Sequence, residues 1–158
     1  MHPRHPLDAY GIAKCVAEDI VTSATEEKDL DTWIMRLPGL FSEERPNGAL
    51  YNFVLNAARG MQLTIGAAQP TPWEILHLDD AVEGIMRVMR SPDWRAGVIN
   101  VGYGEQMNLQ SIAERIVTRF KSCSVIKNTT GFTHPIFCMD IGKARTLINW
   151  PPTTFDRR

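Results

Sequence analysis

The chain has 158 residues, a formal net charge of −1, 44% hydrophobic and 22% charged residues. That is enough for one domain with a real core, and it excludes a disordered chain. With no cluster of Lys and Arg and no apolar run near the roughly 18 residues of a spanning helix, the sequence argues against nucleic acid and membrane as partners.

In chain order, Met1 to Leu7 (MHPRHPL) reads as irregular because of its prolines. A helix is expected from about Ala9 to Ala24, with Asp8 as N-cap and Ile12, Ala13, Val16, Ala17, Ile20 and Val21 at helical spacing. Thr25 to Asp31 reads as the loop that closes it. Thr32 to Leu37 reads as a buried parallel strand stopped by Pro38-Gly39, and Ser42 to Gly48 as a loop. A helix follows from Ala49 to Arg59 with Gly60 as its C-cap, then a strand Gln62 to Ile65 and a loop AAQPTP. Trp73 to Leu78 alternates as a strand. Asp79 and Asp80 are expected to cap the helix Ala81 to Arg90, whose apolar positions are Ala81, Val82, Ile85, Met86 and Met89.

Gly97 to Gly104 reads as a strand entering a tight glycine turn, and Leu109 to Phe120 as an amphipathic helix. Val125-Ile126 is a minor strand, Asn128 to Pro135 a long loop and Ile141 to Ile148 a short helix, before an extended tail from Trp150. Strands and helices alternate without internal repeats, so the fold class is α/β. Cys15, Cys123 and Cys138 are widely spaced and lack a Cys-x-x-Cys. They read as buried reduced thiols in a cytoplasmic compartment. His77 and His134 are isolated, and no metal set is visible.

The stretch with chemical content is YGIAKCVAE, residues 10–18. Tyr10 and Lys14 are four apart, so on a helix they share a face. An ammonium beside a phenol favours the phenolate, and about 1.4 kcal/mol of differential stabilisation lowers its pKa by about one unit. Two or three such units give a phenol able to trade protons with an alcohol or ketone. The alternative is a half-buried tyrosine beside a snorkelling lysine. By itself a chance Tyr-x-x-x-Lys is expected roughly once in ten such chains.

Five ordered stretches bear a wider resemblance. YGIAKCVAE resembles the catalytic helix of extended short-chain dehydrogenase/reductases, the NAD-dependent epimerase/dehydratase family of nucleotide-sugar enzymes. TWIMRLPGLFS resembles its following strand and turn, WEILHLDDAVEGIMRVM its "RDFVHVDDVAEAI" segment, VINVGYGEQMNLQSIAERI its "YNVGSGEPVSLLELAEAI" segment, and DIGKARTLINWPPTT its closing element. The resemblance covers nearly the whole chain and corresponds to the C-terminal half of such an enzyme. It implies the end of a Rossmann-type doubly wound sheet over about residues 1–40, followed over about 41–158 by mainly substrate-domain elements with strands returning to the sheet.

Roles are implied with it. Tyr10 is the general acid/base, and Lys14 binds the nicotinamide ribose and lowers the tyrosine pKa. The backbone near Pro38 contacts the nicotinamide of NAD or NADP, and Gly39 and Trp73 occupy substrate-binding places. There the family often carries an asparagine and an arginine. The glycine-rich turn that anchors the dinucleotide pyrophosphate lies upstream of the tyrosine in the family and has no counterpart here. Two functions follow. In one, the chain is part of an epimerase, dehydratase or reductase acting on a nucleotide sugar or a related substrate, with activity conditional on a missing N-terminal half. In the other, it is a non-catalytic structural or binding subunit of the same ancestry. In either case the incomplete sheet and apolar helix faces are expected to be covered by a protein partner or by self-association.

Overall fold

The computed structural model describes residues 4, 6, 8–44, 46, 48–67, 72–92, 97–132 and 138–151. The first helix, α1 (Ala9–Lys28), begins as expected: the Asp8 carboxylate accepts the Gly11 N–H at 2.7 Å. It continues a full turn past Ala24, because Glu26, Glu27 and Lys28 are good helix formers and Ser23 donates to Glu27 one turn on. Asp29 then ends it in the left-handed conformation, φ 48°.

Among the described residues the strands form four two-stranded pairs. β1 (Trp33–Arg36) runs parallel to β6 (Gly97–Asn100), with Met35 opposite Ile99. β2 (Gly39–Phe41) runs parallel to β5 (Ile75–His77). β3 (Leu63–Ala67) runs parallel to β8 (Ile126–Phe132), with an irregularity between Ile65 and Ala67. β4 (Pro72–Trp73) pairs antiparallel with β7 (Met107–Asn108). The helices between them are α2 (Ala49–Ala58), α3 (Leu78–Arg90) and α4 (Leu109–Arg119), and α5 (Gly142–Leu147) follows β8. Parallel pairs with helical crossovers confirm the α/β class.

Ile75 and Leu76, adjacent on β5, point to opposite faces and enter two different cores. Leu76 joins α3, β6, α5 and Trp150, while Ile75 joins α2, β3 and α4. β5 is therefore the wall between the two cores, and it fixes the segments on either side of it.

Several expectations are corrected. Trp73 to Leu78 is two short strands broken at Glu74, whose carboxylate is drawn inward by two backbone N–H groups. The cap of α3 is His77, whose Nδ1 accepts the Asp79 N–H at 3.2 Å; Asp79 and Asp80 lie in the first turn, where they still complement the helix dipole. The packed face of α3 is Asp80, Ala81, Gly84 and Val88, because Gly84 lets Val101 and Trp150 close in; a Cβ there would lie 2.8 Å from Val101 Cγ1. Val82, Ile85 and Met89 are exposed.

The expected minor strand at Val125-Ile126 is the seven-residue β8, which takes in much of the expected Asn128–Pro135 loop. Its polar sequence IKNTTGF lacks apolar alternation, and pairing with β3 decides its state. Of the thiols, Cys123 and Cys138 are exposed and Cys15 half-buried, so the expectation of burial fails. Both lie on connections between elements rather than on core faces. Most of the expected AAQPTP loop and the end of the Asn128–Pro135 loop fall outside the described residues.

Candidate active site

α1 is held to the β1 layer by two ties of polar character. The Thr25 hydroxyl donates to Val21 O and lies 2.6 Å from the Thr32 hydroxyl. Seven residues earlier, Glu18 receives a two-pronged bond from Arg36, Nε to Oε1 at 2.7 Å and Nη2 to Oε2 at 2.6 Å. Arg36 hydrogen bonding holds the Glu18 carboxyl below its ordinary range against the opposing effect of burial, and raises its own guanidinium in turn. Arg4 adds a bond to Asp19 at 2.7 Å.

The ties run antiparallel, Thr25 to Thr32 and Glu18 to Arg36. The N-terminal turns of α1 therefore lie at the same end of this layer as Leu37, Pro38 and Gly39. Tyr10 is 72% exposed there, and the Lys14 ammonium sits 5.3 Å from its ring centroid. The two side chains share a face as the spacing requires. The ammonium lies over the ring, in cation–π geometry. Pro38 is buried and Gly39 exposed.

Gly39 opens a cavity of about 200 Å³ lined by β2 and its exit, Trp73 and the first turn of α2, Gly48 to Tyr51. A Cβ on Gly39 would meet Trp73 Cζ2 at 3.6 Å, so the two expected substrate-side residues stand face to face. Among the described residues no side chain caps α2 at Gly48, so its first-turn N–H groups face the cavity without a side-chain acceptor there. A second cavity of about 350 Å³ shares Leu40, Phe41 and Ser42 and is completed by Glu44, Pro46 and Leu78. Among the described residues no group of three His, Cys, Asp or Glu side chains is placed to hold a metal ion, and no helix is long and apolar enough to cross a membrane.

Sequence reasoning missed the buried polar scaffold behind this site. Glu74, 1% exposed, accepts the Gly104 N–H at 3.0 Å and the Met139 N–H at 2.6 Å. Tyr103 donates to Asp80 Oδ2 at 2.6 Å and accepts the His77 N–H. The available signals were a carboxylate inside an apolar run and the glycines of VGYG. A Cβ on Gly102 would lie 2.3 Å from Glu74 Oε1, and Gly104 takes φ +68°. The turn expected here serves the Glu74 carboxylate. Although Cys138 is exposed, partial desolvation of its sulfur, with Glu74 and Glu105 nearby, pushes the thiol up.

The parallel α/β arrangement is that of Rossmann-type epimerases. Residues 1–102 match the NAD dependent epimerase/dehydratase family, and the chain belongs to that family. It is 24% identical to UDP-glucuronic acid decarboxylase 6 of Arabidopsis thaliana over 96% of this chain and 45% of that protein. Among solved structures it resembles UDP-glucuronic acid 4-epimerase from Bacillus cereus in complex with UDP-glucuronic acid and NAD. There the TM-score is 0.85 and the identity 22%, covering 95% of this chain and 49% of that one. It also resembles dTDP-glucose 4,6-dehydratase from Bacillus anthracis in complex with NAD, with TM-score 0.83, identity 20%, and 96% and 49% of the two chains covered. The chain spans about half the length of the curated relatives it matches.

Proposed function

We propose that this chain supplies the catalytic and substrate side of an NAD-dependent enzyme acting on a nucleotide sugar. One observation carries the reading: in a member of this family, Tyr10 and Lys14 are paired on a helix tied down at the same end of the layer as Pro38, Gly39 and the Trp73 cavity. The residues present fit the nicotinamide end of NAD(P). Two exposed polar side chains lie at the end of the layer where the chain passes through the buried Pro38. When bound, the cofactor supplies hydride acceptance and return.

The chain's own residues do the rest. Lys14 orients the ribose, and the Tyr10 oxygen takes the proton from a sugar hydroxyl and gives it back. Gly39 leaves room for a sugar ring against Trp73. The uncapped start of α2 offers N–H donors to the diphosphate, the part that the family's arginine would otherwise take. On this reading residues 1–40 finish a Rossmann sheet and the remainder is mainly substrate domain.

The exposed stripe Ile12, Val16 and Ile20 on α1 is covered in the working protein by a partner or a second copy. A second reading, a non-catalytic subunit, is favoured by the cavity's Trp73 and by the absence of a basic side chain among its described lining residues. The test is Tyr10→Phe in the assembled protein with NAD and a panel of UDP- and dTDP-sugars. The catalytic reading expects turnover to fall at least 10²-fold with binding kept; equal turnover, or none in either protein, supports the subunit reading.

A further inference from the structure

His77 is a buried side chain that the proposed chemistry leaves unused, one residue before Leu78 of the second cavity. Its ring is 8% exposed, and defined groups face both ring nitrogens. Nδ1 accepts the Asp79 N–H at 3.2 Å, with Asp79 Oδ2 at 3.6 Å. In the neutral ring that acceptance leaves the proton on Nε2, which points at Glu43 Oε2, 3.3 Å away. Phe41 packs its ring edge-on at 5.1 Å, and the His77 backbone N–H binds the Tyr103 hydroxyl, itself bonded to Asp80.

Glu43 is 86% exposed, and among its contacts the His77 ring joins it to the start of α3. The residues on either side of the link, Phe41, Ser42 and Glu44 on one strand exit and Leu78 on the helix, are the walls of the second cavity. Phe41 and Ser42 also wall the first.

We propose that His77 is a positioning residue, a rigid post that fixes the Phe41–Glu44 wall of the candidate site through Glu43 and so sets the width of both cavities. The post is rigid because the α3 backbone dictates its tautomer and Tyr103 anchors its backbone. The wall is adjustable because its end of the link is an exposed carboxylate. This rests on the reading of the cavity as a substrate site, but only for its effect on binding.

The experiment uses the full chain, with Glu43→Ala and the acceptor-keeping Glu43→Gln. It measures amide hydrogen exchange at Phe41 to Glu44 and at the core residues Leu76 and Ile99, and titrates UDP as the probe. In Glu43→Ala, exchange at Phe41 and Ser42 rises about fivefold, the factor expected of one exposed hydrogen bond, while Leu76 and Ile99 are unchanged. Glu43→Gln restores it. UDP affinity falls by a similar factor in Glu43→Ala and returns in Glu43→Gln. Unchanged exchange at Phe41 and Ser42, or equal loosening in both variants, overturns the post. Changed exchange in a chain that binds no UDP keeps the post and overturns the substrate reading.

Discussion

The Glu18–Arg36 bond is one of the two ties that hold α1, which carries Tyr10 and Lys14, and removing it is a test of known sign. Ile12, Val16 and Ile20 are half-exposed or more, so α1 is not held by burial of its apolar stripe. A charge-assisted hydrogen bond contributes about 1.5–3 kcal/mol. Glu18 is 16% and Arg36 28% exposed, so screening reduces the pair to about 1–2 kcal/mol. Glu18→Gln should lower the thermal midpoint at pH 7 by about 2–8 °C for a chain of this size.

The pH dependence follows from the direction of the shift. The folded Glu18 carboxyl lies below its ordinary value of 4.5. Its contribution is therefore fully present above that pH and is lost as pH falls through the folded value. Urea unfolding followed by circular dichroism, from pH 7 to pH 3.5, should show the wild-type and Glu18→Gln midpoints separate at pH 7 and converging toward acid. A gap that is absent at pH 7, or that stays constant down to pH 3.5, refutes the tether.

Four further outcomes are expected. Gly102→Ala drives a methyl into the space of Glu74 Oε1 and should cost about 2–4 kcal/mol in urea unfolding, more than most surface changes. Glu74→Gln keeps one acceptor but sets an NH₂ against the N–H of Gly104 or Met139; a loss of about 1–3 kcal/mol is expected, and a neutral result contradicts the assigned bonds. Iodoacetamide should label the exposed Cys138 at more alkaline pH than an unperturbed thiol, because partial desolvation and its carboxylate neighbours raise it; mass spectrometry across pH 7–10 reads this directly. Asp8→Ala removes the cap on Gly11 and should lower α1 helicity, with about 1 kcal/mol lost as seen by exchange of its first-turn amides.

The α/β class, the order of elements and the Tyr10–Lys14 face were legible because they rest on local periodicity. Helix α4 matches its apolar stripe to within a residue, and Asp8 caps α1 as its side chain allows. What escaped rests on tertiary pairing. IKNTTGF becomes a strand only against β3, and Glu74 interrupts an apolar run because two distant N–H groups, at Gly104 and Met139, need an acceptor. His77 displaces the aspartates as cap because its ring, held between Phe41 and Glu43, reaches the free N–H of Asp79. In the candidate site, spacing predicted the pair on α1. Gly39 and Trp73 were named singly by resemblance, their encounter came only with the structure, and the Glu18–Arg36 tie had no local signature.

The central claim is that Tyr10 is the proton-handling group of a nicotinamide-dependent reaction. The most direct measurement is hydride exchange on the assembled protein purified from its own source, using NAD and deuterium-labelled UDP-sugars, with and without Tyr10→Phe. The account predicts cofactor in the purified protein, isotope transfer in the wild type, and its loss in Tyr10→Phe with the cofactor retained. Purified protein free of nicotinamide cofactor, or isotope transfer undiminished by Tyr10→Phe, contradicts it.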